Sequence, residues 1–185
     1  MNVAEFARNL ILLTPWTAAE INNRARRLRE LGFLGQSGHG RRSPNLDPDT
    51  AATLLIGLSV GVNAGRCHEA VLSHRPMPPA GKSPRFFGNQ TFGEALSHVL
   101  ADITDKLKVE RVVINKSWPE GIIEWKAGGK LKRAIYRGEE LADTGYGLAA
   151  WDNFEMSGGF LHELACRIAD EEDPADDDEW TAEVS

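Results

Sequence analysis

Residues 17–42 carry six basic side chains against two acidic ones. Within them, Thr17 and Glu20 form the T-x-x-E pattern of a helix N-terminus. Helical spacing relates four apolar residues: Ala18, Ile21, Ala25 and Leu28. The same spacing directs five residues outward: Ala19, Asn23, Arg26, Arg27 and Glu30. Arg24 and Arg29 flank that outward face. Asn and Arg can read adenine and guanine edges, and flanking arginines suit phosphates, so the pattern predicts a DNA-reading helix. The alternative is a helix whose basic face is merely solvated.

A loop rich in glycine and serine follows this helix, over residues 35–46. Its glycines allow close approach of the backbone, and Arg41 and Arg42 could reach phosphates or an adjacent minor groove. The alternative is a flexible connector with solvated arginines. The loop lacks the G-x-x-x-x-G-K-[ST] pattern of a nucleotide-binding loop.

The run ARRLRELGFLGQSGHGRR (25–42), followed by LDPDTAATLLIGL (46–58), resembles the N-terminal domain of small helix-turn-helix proteins encoded by phages and prophages. Those domains have an arginine-rich helix ending LREAGLL, a loop of glycine and arginine, and a helix with an AA-x-LLIAL core. The resemblance covers about residues 4–75. It implies a DNA-binding head of the kind found on transcription regulators and on small terminase subunits, which mark DNA for packaging.

Residues 109–137 form a second basic segment, with seven bases against three acids. Gly128-Gly129 between two β-prone runs predicts a hairpin in which Glu124 lies opposite Arg133 and Ile122 opposite Ile135. A possible second basic surface on this ribbon consists of Lys126, Lys130, Lys132 and Arg133. The interleaved Trp118, Trp125 and Tyr136 could stack on bases. The alternative is that the lysines protect a sheet edge and the aromatic rings pack inward.

Catalytic and metal-binding patterns are not recognisable in the sequence. The five histidines show no H-E-x-x-H spacing. Cys67 and His68 are adjacent on a predicted helix, where neighbouring side chains diverge, so they make a poor nucleophile–base pair. We therefore expect no enzyme activity, no cofactor and no bound metal.

The net charge of −6 conceals a basic body. Residues 170–185 hold nine acids and no base, which leaves +3 on the rest of the chain. We expect this acidic tail to be disordered. It serves solubility, contact with a protein partner, or mimicry of DNA by folding back on the basic head and competing with phosphates. No apolar run reaches the roughly 18 residues of a membrane span, and the N-terminus lacks a signal pattern. The expected location is the cytoplasm of the host cell, without membrane contact.

The helical and β-branched patterns predict an α+β fold. Residues 1–75 are interpreted as a helical helix-turn-helix DNA-binding domain, and the four prolines within 76–90 as a linker. Residues 91–169 are expected to form a helix, an antiparallel hairpin or three-stranded sheet, and a final helix. This second domain would oligomerise or contact a partner.

These features favour a DNA-binding protein of a phage or mobile element that binds double-stranded DNA as a homo-oligomer. A transcription regulator is the first interpretation and a small terminase subunit the second. A third interpretation, of another class, is an inhibitor or interaction protein that engages a host protein through the C-terminal domain and the acidic tail.

Overall fold

The computed structural model describes residues 3–35, 46–60, 63–102, 108–138 and 153–169. Within these ranges it confirms the α+β class, with helices and an antiparallel sheet packed together. The helices are α1 (Val3–Leu13), α2 (Ala18–Glu30), α3 (Pro48–Ser59), α4 (Cys67–His74), α5 (Phe92–Ala101) and α6 (Gly158–Ala169). The strands are β1 (Val109–Asn115), β2 (Glu120–Ala127), β3 (Lys130–Arg137) and β4 (Asn153–Ser157). Two short 3₁₀ turns occupy Ala64–Arg66 and Phe86–Gly88.

Helix α3 is the centre of the helical layer. Asp47 caps it by accepting a hydrogen bond from the backbone nitrogen of Thr50 over 2.6 Å, and Pro48 stands in its first turn. Its residues from Ala51 to Ser59 are buried on every side. Helices α2, α4 and α5 pack around it, which is why its sequence is apolar all round rather than along one stripe.

The sheet has the strand order β3-β2-β1-β4 and is antiparallel throughout. The predicted hairpin register is confirmed, with Glu124 opposite Arg133 and Ile122 opposite Ile135. Gly128 and Gly129 form its turn with φ of 58° and 74°, which glycine adopts without strain. The sheet has a fourth strand that the sequence interpretation missed, because the five residues of β4 are too short to show a clear alternation.

Residues 76–90 are packed against the sheet, in contrast to the predicted linker. Met77 and Phe86 are buried, and Pro79 forms an isolated bridge with Tyr136 of the edge strand β3. Ala80 donates its backbone N–H to the carbonyl oxygen of Ile135 over 2.7 Å. The prolines suit this position because a sheet edge tolerates residues that cannot donate a backbone hydrogen bond.

One cluster of buried apolar side chains extends through the described chain, from Phe6 in α1 to Ile168 in α6. Residues from both predicted domains contribute to it, and α3 packs directly on α5. The division into domains 1–75 and 91–169 therefore stays a prediction, and residues 170–185 lie outside the described ranges. Within those ranges no helix combines the length and apolarity that crossing a membrane requires.

Candidate nucleic-acid interface

Helix α2 is fixed at both ends by its own sequence. Thr17 and Glu20 form the predicted capping box: Thr17 Oγ1 accepts from the backbone nitrogen of Glu20 over 3.3 Å, and Glu20 Oε2 accepts from that of Thr17 over 2.8 Å. These bonds from Thr17 hold the pKa of the Glu20 carboxyl below its usual range. Past the last turn, Gly32 has a φ of 81°, in the left-handed region that ends helices.

The short connection before α2 gives the order helix, turn, helix. Helix α1 ends at Leu13 and α2 begins at Ala18. Trp16 in the turn stacks on Phe154 of β4 with ring centroids 4.7 Å apart, which anchors the turn to the sheet. The four residues between α1 and α2 are as many as the turn of a helix-turn-helix holds, and that motif stays a prediction.

The outward face of α2 carries the residues that the sequence directed there. Asn23 and Arg26 are exposed, opposite the buried Ile21, Ala25 and Leu28. The terminal carboxylate of this face, Glu30, is shared: it lies 3.8 Å from Arg26 and 3.5 Å from Arg27. Ala18, which was predicted to lie on the apolar stripe, is exposed at the first turn.

Arg24 does not belong to this face, which corrects its predicted contact with DNA. The residue is 7 % exposed, and its Nη1 donates to the carbonyl oxygens of Gly57 and Leu58 over 3.1 and 2.8 Å. Those carbonyls belong to the last turn of α3, where a cation also complements the helix dipole. Position 24 lies between Ile21 and Leu28 on the buried face, so helical spacing alone could have placed it inward.

Arg27 and Arg29 lie at the border between the buried and exposed faces. Both are partly exposed, and the Nε atom of each is buried without a hydrogen-bond partner in the described part of the chain. Their stems are therefore packed while part of each guanidinium reaches solvent, as is common for long cationic side chains. Arg41 and Arg42 lie outside the described residues.

The basic ribbon offers fewer free cations than the sequence suggests. Lys126 pairs with Glu110 over 2.8 Å, and Arg133 donates from Nε to Oε1 of Glu124 over 2.6 Å. Lys130 and Lys132 are exposed beside the hairpin turn. Trp125 and Tyr136 are buried, which excludes both rings from stacking on a ligand, whereas Trp118 is 42 % exposed.

Glu124 neutralises two arginines on the sheet. Its side chain is only 5 % exposed and accepts hydrogen bonds from Arg111 over 2.7 Å and from Arg133 on the other side. The bond from Arg111, followed by that from Arg133, holds the pKa of the Glu124 carboxyl below its usual range. Arg133, predicted as part of a basic surface, thus serves an ion-pair cluster within the sheet.

Two cysteines are among the reactive side chains of the described ranges. Cys67 is buried under α2, and burial raises the pKa of its thiol, which disfavours the nucleophilic thiolate. The sequence interpretation missed a second contact, between Sγ of Cys166 and Nε2 of His162 over 3.6 Å on α6. No group of three or more His, Cys, Asp or Glu residues in these ranges could hold a metal ion.

Known proteins add nothing to this geometry. No family model, no curated protein and no solved structure matches the chain. The resemblance to phage helix-turn-helix proteins therefore stays an expectation drawn from the sequence.

Proposed function

We propose that this protein binds double-stranded DNA and that α2 is the helix that enters the major groove. The observation that carries the proposal is that one face of α2 anchors the helix to the core while the opposite face presents polar side chains to solvent. Asn23 and Arg26 project from the exposed face of a helix that is capped at its start and held to the core through Ile21, Arg24 and Leu28. A rigid helix with bidentate side chains on its outer face is what direct readout of base edges requires.

The chemistry assigned to each side chain follows from its hydrogen-bonding groups. The amide of Asn23 suits N6 and N7 of adenine, and the guanidinium of Arg26 suits O6 and N7 of guanine. Arg27 and Arg29, at the edges of the face, suit phosphates, which set the register of the helix on the duplex. Exchanging the ion pair between Arg26 and Glu30 for a base costs little, because the two atoms lie 3.8 Å apart at an exposed site.

The biological role proposed with this activity is regulation of transcription in a phage or mobile element. A regulator of this kind binds as a dimer to two half-sites about one helical turn apart. A small terminase subunit, the alternative within DNA binding, would assemble into a ring. The mass of the particle in solution, measured by light scattering with and without duplex, separates the dimer from the ring.

The experiment that tests DNA binding compares two matched arginines of the full chain. Arg26 and Arg8 have side chains that are 72 % and 73 % exposed, and each pairs with a glutamate on its own helix. A duplex selected from a random pool would be titrated by fluorescence anisotropy at several salt concentrations. We expect R26A and N23A to relax the preference for the selected duplex over a scrambled one, and R8A to keep it.

Wild-type affinity should fall steeply with salt, because each phosphate contact releases counterions. If R26A and R8A keep the same preference, or if the wild-type protein binds no duplex at low salt, the proposal is wrong. The second outcome would favour the interaction protein over the DNA-binding protein.

A further inference from the structure

Phe87 adopts a backbone conformation that phenylalanine rarely occupies. Its φ and ψ are 45° and 33°, in the left-handed region, where a residue with a Cβ is disfavoured by about 1–2 kcal/mol. The side chain is nevertheless 54 % exposed, so burial of the ring does not compensate this strain in the usual way. Strained residues that the surrounding structure holds in place are concentrated at binding sites.

The neighbouring residue, Phe86, holds the turn rigidly. Its ring is fully buried and meets the Trp125 ring edge-to-face at 5.0 Å. Its backbone nitrogen donates to the hydroxyl of Tyr136 over 3.1 Å, and its carbonyl oxygen accepts from the side-chain amide of Asn89 over 2.9 Å. Because both backbone groups of Phe86 are bonded, the main chain that leads into Phe87 is held in place.

The Phe87 ring contacts two other aromatic rings and is about half exposed. Its centroid is 5.4 Å from the ring of His98 and 6.4 Å from that of Trp125, with interplanar angles of 41° and 46°. The ring is therefore backed by two others while half of it faces solvent. We call Phe87 with its supporting rings, His98 and Trp125, the Phe87 platform.

Two exposed cations neighbour the Phe87 platform, one along the chain and one across the hairpin. Arg85 is exposed two residues before Phe87, and Lys132 is exposed directly opposite Trp125 in the hairpin register, on the same face of the sheet. In the described part of the chain neither forms an ion pair with an acid. The carboxylate of Glu94 accepts hydrogen bonds from the backbone nitrogens of Gln90 and Thr91 over 2.8 and 3.2 Å. Its hydrogen bonds therefore go to the start of its own helix, α5.

We propose that the Phe87 platform binds single-stranded nucleic acid, with one base stacked on Phe87 and the neighbouring phosphates on Arg85 and Lys132. An aromatic ring beside cations is the arrangement that single-strand binding proteins use, since every base has a π face and every linkage a negative charge. A base within a duplex cannot reach the ring, because both of its faces are already stacked. A protein partner is less suited to the site, because lysine is depleted at the cores of protein interfaces.

This site is separate from the duplex contact proposed for α2, and its test uses different variants. Fluorescein-labelled oligo(dT) of about 20 nucleotides would be titrated into the full chain by anisotropy, with oligo(U) as a second arm to compare DNA with RNA. F87N removes the ring but keeps a residue that tolerates a positive φ. F87Y keeps a ring of the same size. L72N is the control, because Leu72 is an equally exposed apolar residue on α4.

The platform predicts that F87N weakens binding of oligo(dT) about 10-fold or more, a loss typical of removing one stacked base. F87Y should keep binding because it keeps the ring, L72N should stay within about twofold of the wild-type protein, and K132A should reduce the salt dependence of binding. F87G serves as a second variant, since glycine adopts the observed φ without strain. Equal binding of oligo(dT) by wild type, F87N and F87G overturns the platform, as does wild-type protein that binds duplex but not oligo(dT).

Discussion

His74 of α4 donates a hydrogen bond from Nε2 to the backbone carbonyl oxygen of Asn115, at the end of β1, over 2.9 Å. The donor is assigned to the nitrogen because a carbonyl can only accept. On the other side of the ring, Nδ1 lies 2.8 Å from the hydroxyl of Ser73. One buried imidazole thereby joins the helical layer to the sheet.

The pH dependence of stability follows from this burial. Burial holds the pKa of His74 below its ordinary value of about 6.5, despite the carbonyl oxygens that face it. The unfolded chain therefore binds a proton that the folded protein resists, so the free energy of unfolding should fall as the pH drops below about 6.5. Urea unfolding followed by circular dichroism at pH 7.5, 6.5 and 5.5 measures this slope.

The variant H74Q isolates the contribution of this histidine, because a glutamine amide can donate to the Asn115 carbonyl without titrating. We expect a shallower slope between pH 7.5 and 5.5 for H74Q than for the wild-type protein. Identical slopes would show that another group is responsible for the pH dependence.

Replacing Arg24 should change the free energy of unfolding rather than the affinity for a ligand. R24A leaves the carbonyl oxygens of Gly57 and Leu58 without their charged donor at a buried site, a loss of about 1.5–3 kcal/mol in the free energy of unfolding. R26A removes an exposed side chain and should change that free energy by less than about 0.5 kcal/mol. Urea titrations of both variants, with midpoints and slopes fitted separately, give the comparison. Equal stability of the two variants would contradict the capping role of Arg24.

Two adjacent glycines at the start of α6 should respond in opposite ways to alanine. A methyl group on Gly158 would overlap the backbone carbonyl oxygen of Val109, whereas nothing lies within 4 Å of the corresponding position on Gly159. We expect G158A to lose about 3 kcal/mol or more, since neither backbone can yield easily. G159A should be neutral or gain up to about 1 kcal/mol from a stiffer helix. Thermal unfolding of the two variants side by side decides this, and a stable G158A would refute the close contact of α6 with β1.

The ion pairs of the Glu124 carboxylate should contribute more to the free energy of unfolding than an exposed ion pair does, and less than a fully buried one. Removing one member of a buried pair costs roughly 3–5 kcal/mol, but Arg111 and Arg133 are 40 % and 47 % exposed and can turn to water. We expect E124Q to lose about 1–2 kcal/mol at pH 7.

The lowered pKa of Glu124 determines how the loss of stability in E124Q depends on pH. The stabilisation by Glu124 is present above the ordinary carboxyl range and disappears as the pH falls through its folded pKa. The difference between E124Q and the wild-type protein should therefore shrink between pH 6 and pH 3 in guanidinium titrations. A constant difference over that range would place the effect of E124Q in packing instead of charge.

Local signals in the sequence predicted the elements whose causes are local. The caps at Thr17 and Asp47 and the turn at Gly128 depend on residues within four positions of one another, and the structure has all three. The register of the hairpin follows from its turn alone, which explains why the pairing of Glu124 with Arg133 could be read from the sequence.

What the sequence could not show depends on distant residues. Helical spacing could place Arg24 on the buried face, but its partners, two carbonyl oxygens of α3, lie 33 and 34 positions later in the chain. The prolines of residues 76–90 read as a linker until the edge of β3 supplies partners for Ala80. Phe87 gives no signal at all, because only the fold reveals its positive φ and the rings behind it.

The contact between the first and last helices has a consequence for how the protein is made. Arg167 of α6 donates to the side-chain oxygen of Asn9 in α1, across 158 positions of the chain. Contacts between such distant positions slow folding, since a long loop must close before they form. During synthesis, α1 leaves the ribosome long before α6 exists, so Asn9 receives this hydrogen bond only after almost the whole of the chain between them has been made.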